Sequence, residues 1–210
     1  MNYPNGVKKA DIIKIDNTIS HKNRGMTLES EINSSNEYYR NIEKAYIYKK
    51  PTPIKIAKVD YPSRKEAIIK EAYFTIPSTT DYNGLYNGKY IDFEAKETNN
   101  LSFPLANIHK HQIKHIINIF NNGGICFIIV RFNKKNITYL LTAKDFISFI
   151  ENNTRKSIPL EFFEKNAYKI ELKYTPRLDY IKIIDKIMEV SKWQIKIIGE
   201  KRIIYHYLIQ

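Results

Sequence analysis

The sequence predicts an α/β fold in which a mixed central β-sheet is flanked by helices. Residues 90–96 alternate apolar and polar side chains with the period of two that is typical of strands. Residues 125–132 are apolar on both faces, which indicates a strand in the middle of a sheet. Between these strands, residues 105–120 have helical spacing and end at a strong stop signal of two asparagines and two glycines. This alternation favours helices packed against one sheet.

Length and composition predict one domain with a core of its own. The chain has 210 residues, of which 43% are hydrophobic, and this is enough for one sizeable domain. We expect a basic N-terminal arm over residues 1–26, a single domain over 27–193 and a C-terminal extension of unassigned role over 194–210. Cys126, the one cysteine, lies in an apolar strand, so we expect it in the core and no disulfide within the chain.

The net charge of +12 predicts a polyanionic partner. Nucleic acid fits better than a membrane surface, because the basic side chains are spread along the chain among 16 tyrosines. The sequence has no apolar run long enough to cross a membrane and no signal peptide. We therefore expect a soluble, cytoplasmic protein that does not act at a membrane.

The first part of the chain predicts a helix followed by a basic segment. The helix begins after Thr27, a plausible N-cap, and its apolar spacing continues to Tyr46 before Pro51 and Pro53 break it. Residues 54–59 alternate as a strand with one basic face. Residues 63–74 mix basic and aromatic side chains, which suits DNA contact and suits equally well a solvated face with its aromatic side chains buried. The candidate DNA-binding residues are Arg24, Lys55, Lys58, Arg64, Lys65, Lys70, Tyr73 and Phe74.

The second part predicts a hairpin and further helices. Residues 137–142 follow the central strand after a short polar turn and predict its antiparallel partner. Ala143–Asn152 predicts a helix with a core face of Phe146, Ile147 and Ile150. Residues 153–178 are rich in loop signals, and residues 179–193 return to helical spacing.

The dipeptide Asn87-Gly88 predicts a tight hairpin, because both central residues of a type I′ turn need positive φ. The two-residue register can be continued outward along both arms of the hairpin. It sets Asp81 opposite Glu94 and Thr79 opposite Lys96. The hairpin therefore predicts two carboxylates side by side.

Two opposed carboxylates on one sheet face repel each other and need a cation. A hard divalent metal with oxygen ligands would supply it, and Lys96 could then hold a phosphate oxygen. A solvated face with surface ion pairs stays open as an alternative, and a bulge at Asn83-Gly84 would change the register. The Asp81 side chain, the Glu-x-Lys triplet starting at Glu94 and the basic charge together favour metal-dependent phosphodiester hydrolysis.

Other polar side chains near the predicted helices allow two interpretations. Gln112 interrupts an apolar helical stripe, as either a buried hydrogen-bonding group or the edge of a site. Glu29 and Glu31 lie in the first turn of the first helix, where capping explains them, and a metal role stays open. The histidines lack the His-Glu-x-x-His spacing of a zinc site, so we expect them at the surface or facing DNA: His109, His111 and His115.

Ordered segments over residues 1–185 carry a family resemblance. They include Asn23-Arg24-Gly25-Met26-Thr27-Leu28-Glu29, Lys58-Val59-Asp60-Tyr61-Pro62, Pro77 to Gly84, Tyr90 to Thr98, His111-Gln112-Ile113 and Pro176-Arg177-Leu178-Asp179-Tyr180. In these segments the chain closely resembles the RecU family of Holliday junction resolvases, which are restriction-endonuclease-like PD-(D/E)-x-K nucleases. The residues after about 185 fall outside the resemblance.

The resemblance implies a restriction-endonuclease-like fold with a protruding stalk insertion at about residues 54–76. It implies a homodimer that cleaves four-way DNA junctions in recombination and repair, with Mg²⁺ as cofactor and Mn²⁺ as a substitute. The implied metal ligands are Thr79, Asp81, Glu94 and Gln112. The implied catalytic residues are Asp81, Glu94 and Lys96, with Lys96 as the transition-state stabiliser.

Two other functions stay open from the sequence. The basic arm and the stalk would also suit a non-catalytic protein that binds junctions or regulates a recombinase. A restriction-like nuclease would instead cut ordinary duplex DNA.

Overall fold

The computed structural model describes residues 26–62, 67–74 and 79–189. Residues 1–25 of the predicted arm and the predicted extension over 194–210 lie outside these ranges, as do Arg24, Arg64 and Lys65. The described helices are α1 (Leu28–Asn41), α2 (Lys110–Asn121), α3 (Ala143–Asn152), α4 (Leu160–Asn166) and α5 (residues 180–189). The described strands are β1 (Tyr46–Lys49), β2 (Ile54–Asp60), β3 (Ile68–Phe74), β4 (Tyr82–Tyr86), β5 (Lys89–Thr98), β6 (Ser102–Pro104), β7 (Ile125–Phe132), β8 (Ile137–Thr142), β9 (Ser157–Pro159) and β10 (Tyr168–Ile170).

Six strands form the central sheet in the order β1-β4-β5-β7-β8-β10. Strands β5 and β7 are parallel, joined by a crossover through α2, and the other neighbours are antiparallel. The predicted α/β fold with a mixed sheet flanked by helices is confirmed.

Helices cover both faces of the sheet and close two apolar cores. On one face, α1 and α5 pack over the cluster that contains Phe93, Phe127 and Tyr180. On the other face, the second cluster includes residues of α2, α3 and α4 together with Ile128 and Val130. Strand β7 is buried along nearly its whole length because it supplies side chains to both cores, as its uninterrupted apolar sequence predicts.

The β4–β5 hairpin confirms the predicted turn and register. Asn87 has φ 48° and Gly88 has φ 73°, the positive values that a type I′ turn requires. Pairing then runs from Tyr86 opposite Lys89 to Tyr82 opposite Phe93 without a bulge. Strand β4 begins at Tyr82, so the residues before it leave the ladder.

The predicted extent of the first helix was wrong. Helix α1 begins after its N-cap Thr27, as predicted, but ends at Asn41, and Glu43 follows with φ 54°. Tyr46 then belongs to β1, which alternates buried Ile47 with exposed neighbours and pairs with β4. The helical spacing across residues 42–46 misled the prediction, because a four-residue strand is too short to establish its own period.

Two further boundaries also differ from the sequence prediction. The helix predicted over residues 105–120 begins only at Lys110, and Leu105–Asn107 forms a 3₁₀ turn. The loop predicted over residues 153–178 contains β9, α4 and β10. These elements are three to seven residues long and are ordered by tertiary packing, for example of Phe163 against Phe103 and Phe132. Segments this short carry too few repeats for a period to be read from sequence.

Strands β2 and β3 form a separate antiparallel ribbon. All their residues are exposed, and the pairing is irregular between Ile56 and Val59. The ribbon lies within the predicted stalk insertion and adds no strand to the central sheet. It carries Lys55, Lys58, Lys70, Tyr73 and Phe74.

Candidate metal and nuclease site

Asp81 and Glu94 meet at the end of the β4–β5 hairpin. Asp81 stands one residue before β4, and its Oδ2 accepts a hydrogen bond of 3.2 Å from the backbone N–H of Ala95. This bond attaches the Asp81 side chain to β5 just beyond the last strand pair. Glu94 lies on β5 and is fully buried because α2 covers this face of the sheet. The hairpin thus brings the two carboxylates together, with one of them away from solvent.

The two oxygens of the Glu94 carboxylate differ in their contacts, since only one of them receives a hydrogen bond. Its Oε1 accepts a hydrogen bond of 3.0 Å from Gln112 Nε2 and lies 2.5 Å from Lys96 Nζ. Its Oε2 is buried and receives no hydrogen-bond donor, and the Asp81 carboxylate lies within hydrogen-bonding range of Glu94. A buried carboxylate oxygen without a partner is uncommon in folded proteins. It fits a site in which a hard cation completes the coordination.

The protonation of Glu94 is strongly perturbed. Burial and the adjacent Asp81 carboxylate together raise the pKa of Glu94 to about 7, against the opposing effect of Lys96. For Lys96 itself, burial lowers the pKa, but the hydrogen bond and charge of Glu94, with the charge of Asp81, raise it on balance. Lys96 is therefore a fixed cation at neutral pH, and the negative charge of the site depends on pH near neutrality.

Gln112 joins the site from the first turn of α2. Its Oε1 accepts a hydrogen bond of 2.9 Å from the N–H of His109, and its Nε2 donates to Glu94. Gln112 is therefore a buried hydrogen-bonding group whose side chain also contacts Glu94 of the candidate site. Its carbonyl oxygen has two lone pairs, so it can keep the helix cap and still offer one to a cation.

Thr79 and Lys50 lie near Asp81, beyond the end of β4 that is distant from the hairpin turn. Thr79 Oγ1 accepts a hydrogen bond of 3.0 Å from Lys50 Nζ, and Lys50 also lies 2.6 Å from the carboxylate of Asp92. The ladder ends before Thr79, so the predicted pairing of Thr79 with Lys96 does not form part of it. The sequence analysis missed Lys50 and Asp92 as parts of this neighbourhood. Their one signal was the position of Asp92 on the same strand face as Glu94.

A cleft of about 370 Å³ opens beside Asp81 and Lys96. The beginning of α1 forms its other wall, where Glu29 lines the cleft and pairs with Lys49. Glu29 is therefore near the candidate site. The residues that line the cleft are Thr27, Leu28, Glu29, Asp81, Tyr82, Ala95, Lys96 and Glu97.

Glu31 is kept away from the cleft by a buried ion-pair network. Its carboxylate pairs with Arg131 and lies 3.4 Å from Arg177 Nε. Arg131 Nη1 also lies 3.9 Å from Glu97, whose side chain accepts the N–H of Leu28 at 2.8 Å. Glu31 therefore joins α1 to the sheet, and its carboxylate is engaged by two arginines.

The histidines of α2 have separate surroundings. His109 caps the helix and stacks against exposed His111, with 5.4 Å between ring centroids. His115 Nε2 lies 3.3 Å from Asp92. Within residues 26–62, 67–74 and 79–189, no group of three or more His, Cys, Asp and Glu side chains converges as a metal cluster. The candidate site instead combines two carboxylates with an amide and a hydroxyl.

The candidate DNA-binding residues that are described lie on the exposed ribbon. Phe74 and Tyr73 are largely exposed, with no core to cover them. Lys70 pairs with Asp60 across the ribbon at 2.6 Å. Lys55 and Lys58 are exposed on β2. The alternative of buried aromatics is therefore wrong for Tyr73 and Phe74.

None of the described helices is long and apolar enough to span a membrane.

Comparison with known proteins identifies the family. The family described as "RecU: Recombination protein U" matches residues 23–186. The Holliday junction resolvase RecU of Pediococcus pentosaceus is 52% identical over 196 residues, covering 90% of this chain and 98% of that protein. The Staphylococcus carnosus protein of the same name is 50% identical over 200 residues, covering 90% and 96%.

A solved structure of lower similarity is the Hjc Holliday junction resolvase of Archaeoglobus fulgidus. It has a TM-score of 0.37 and 8% sequence identity, and the match covers 63% of this chain and 93% of that one. The extent and identity of the sequence matches decide the family: this chain belongs to the RecU family.

Proposed function

We propose that this chain is a metal-dependent endonuclease that resolves four-way DNA junctions by paired nicks during recombination and repair. Its relatives at about half identity are named Holliday junction resolvases. The single observation that carries the catalytic part is Glu94, a buried carboxylate with one oxygen unpartnered, adjacent to Asp81 and Lys96. A protein that only binds DNA would gain nothing from burying such a carboxylate.

The proposed cofactor is Mg²⁺, with Mn²⁺ as a substitute, held by Asp81 and Glu94 with Gln112 and Thr79. These four side chains offer only oxygen ligands, which suit a hard cation. When bound, such an ion activates water and neutralises charge on the phosphate. Lys96, fixed as a cation beside Glu94, would stabilise the charge that develops on the phosphate oxygens.

We propose that the DNA is held by the exposed ribbon and by the basic arm. In this proposal the arm covers residues 1–26, a single nuclease domain covers 27–193 with its stalk at about 54–76, and residues 194–210 form an extension. Lys55, Lys58 and the exposed ring of Phe74 suit phosphate contact and base stacking. The other proposed DNA contacts are Arg24, Arg64, Lys65, Lys70 and Tyr73.

A homodimer is the proposed active form. Two symmetric nicks in a four-way junction need two active sites related by a two-fold axis, which a symmetric dimer provides. A recombinase is a further proposed partner.

The decisive experiment is cleavage of a synthetic four-way junction with Mg²⁺ or EDTA. We expect paired nicks with Mg²⁺ and none with EDTA, and much slower cutting of linear duplex of the same sequence. Glu94→Gln and Asp81→Ala should abolish nicking and keep junction binding, whereas Glu37→Gln on the exposed face of α1 should behave as wild type. Junction binding without nicking by the wild-type protein would favour a binding or recombinase-regulating role. Equal cutting of linear duplex would favour a restriction-like nuclease.

A further inference from the structure

A second, fully buried carboxylate lies two residues from Glu94 on the same face of β5. Asp92 has no solvent exposure, and both of its oxygens are hydrogen-bonded. Its Oδ1 accepts from the hydroxyl of Thr80. Its Oδ2 accepts from Lys50 Nζ at 2.6 Å and from Tyr90 OH at 2.9 Å, and lies 3.3 Å from His115 Nε2. Unlike Glu94, this carboxylate has a hydrogen-bond donor at each of its two oxygens.

Lys50 uses all its donors around this carboxylate. An ammonium has three N–H groups, and Lys50 Nζ contacts Thr79 Oγ1 at 3.0 Å, Thr80 Oγ1 at 2.6 Å and Asp92 Oδ2 at 2.6 Å. The backbone N–H of Lys50 also donates to the carbonyl of Asp81 at 2.8 Å. One lysine thus contacts three consecutive residues of the segment that carries two proposed metal ligands.

Besides these contacts, the segment is held by the hydrogen bond from the Ala95 N–H to Asp81 Oδ2. Residues 79–81 belong to no helix or strand, because β4 begins at Tyr82. Asp92 extends the same network to α2 through His115, and α2 also carries Gln112. The pair of Lys50 and Asp92 therefore connects the segments that bear all four proposed ligands.

We infer that Lys50 and Asp92 are positioning residues, which hold residues 79–81 in the place where Asp81 and Thr79 meet Glu94 and Gln112. This inference rests on the proposed metal site. Lys50 also neutralises Asp92, so the other carboxylates of this neighbourhood are Asp81 and Glu94, which lie beside Lys96. A buried ion pair is weak as a source of stability, since apolar side chains often replace one without loss. In this position the ion pair of Lys50 and Asp92 fixes the geometry of residues 79–81.

The test uses Lys50→Met and the charge-neutral double variant Lys50→Met/Asp92→Asn. The control is Phe163→Leu, which alters the core under α4 and touches none of these groups. Hydrogen–deuterium exchange in EDTA reports the order of residues 79–84 without any metal. Calorimetric titration with Mn²⁺, in the absence of DNA, reports the metal affinity. Melting temperatures identify the variants that fold.

We expect exchange at residues 79–84 to accelerate about tenfold or more in both Lys50 variants. We expect Mn²⁺ affinity to fall about 10–100-fold, with neither change in the control at a similar melting temperature. If Lys50→Met does not fold, the double variant Lys50→Met/Asp92→Asn tests the positioning role instead, because it leaves no buried charge unpaired. Unchanged exchange and Mn²⁺ affinity in a folded variant would overturn the positioning role alone. A wild-type protein that binds no Mn²⁺, or a Glu94→Gln variant that binds it as tightly as wild type, would overturn the metal site itself.

Discussion

Gln112 Nε2 donates a hydrogen bond of 3.0 Å to Glu94 Oε1, and the two residues come from α2 and β5. This bond fixes the direction of the Glu94 carboxylate and leaves its second oxygen towards the proposed cation. The same side chain caps α2 through His109, so one amide joins the helix to the site. The contribution of Gln112 to the proposed metal site can therefore be tested by substitution.

Gln112→Leu should weaken the metal site and leave the fold intact. Leucine fills a similar volume in the apolar stripe but cannot donate to Glu94 or accept from His109. We expect the Mg²⁺ concentration for half-maximal nicking to rise about 10–100-fold. The measurement is the rate of junction nicking over a Mg²⁺ series, with Ile116→Val as the control in the same helix. A Gln112→Leu protein with wild-type Mg²⁺ dependence would rule out this role.

The raised pKa of Glu94 makes metal-free stability depend on pH with a defined sign. The folded protein keeps a proton on Glu94 up to a pKa of about 7, whereas the unfolded chain loses it near 4.5. Between these values the folded state binds more protons, so this group lowers the free energy of unfolding as pH rises. The total loss is about 3 kcal/mol at most.

Glu94→Gln removes this dependence. Urea unfolding in EDTA at several pH values should show the variant gaining stability relative to wild type from pH 4.5 to 7. Any fixed effect of the amide on packing is the same at each pH and cancels in the comparison. A difference that stays constant over this range would contradict the raised pKa.

Metal binding should stabilise the folded protein. A cation that binds only the folded state adds about 2.7 kcal/mol at 100 times its Kd, so the melting temperature should rise with Mn²⁺ and return after chelation. The rise should be absent in Asp81→Ala, because this variant keeps only one of the two carboxylates. NaCl at the same ionic strength separates site binding from general screening. An equal rise in Asp81→Ala would place the metal elsewhere.

Glu31→Ala should destabilise the protein far more than Glu29→Ala. Removing Glu31 leaves Arg131 without its buried partner, and breaking a buried pair by removing one partner typically costs about 3–5 kcal/mol. Glu29 pairs with Lys49 at the surface, where such pairs contribute about 1 kcal/mol or less. Urea unfolding measures both. Similar destabilisation of the two variants would contradict the difference in burial.

Lys55→Ala/Lys58→Ala should weaken junction binding mainly at low salt. The slope of log affinity against log salt becomes shallower by about 0.9 for each phosphate that the protein no longer neutralises. The double variant, which lacks two lysines, should therefore show a slope shallower by up to about 1.8. Lys169→Ala/Lys173→Ala is the control of equal charge, with Lys169 on the far edge strand β10 and Lys173 three residues after that strand. Nicking of bound junction should remain at the wild-type rate, and an unchanged salt slope would exclude the ribbon lysines from phosphate binding.

Much of the candidate site could be predicted from the sequence because the hairpin is local. The Asn87-Gly88 turn sets the register, and a period of two then decides which side chains share a face. For this reason the meeting of Asp81 with Glu94 could be expected without any tertiary information. The ion pair of Lys50 with Asp92 could not be predicted in this way, because Lys50 lies 42 positions away in the chain.

The helices and strands likewise divide into those that local sequence patterns predict and those that they do not. The central strand β7 and helix α3 were placed correctly, because each carries enough residues to show its own period. The sequence pattern assigns the short strand β1 to the preceding helix and α4 to a loop, and both predictions are wrong. Local patterns do not lead to the proposed four-way junction substrate or to the proposed ligand role of Gln112, both of which come from the family resemblance.

Turn chemistry and strand period act between near neighbours, so the hairpin, its register and the meeting of Asp81 with Glu94 follow from the sequence alone. Three features follow only from the folded chain, because they depend on burial and on charges brought together from distant parts of the sequence: the cover of α2 over Glu94, the lack of a donor at Glu94 Oε2 and the ion pair of Glu31 with Arg131. Burial and the Asp81 carboxylate raise the pKa of Glu94, which distinguishes this pair from carboxylates on a solvated strand face.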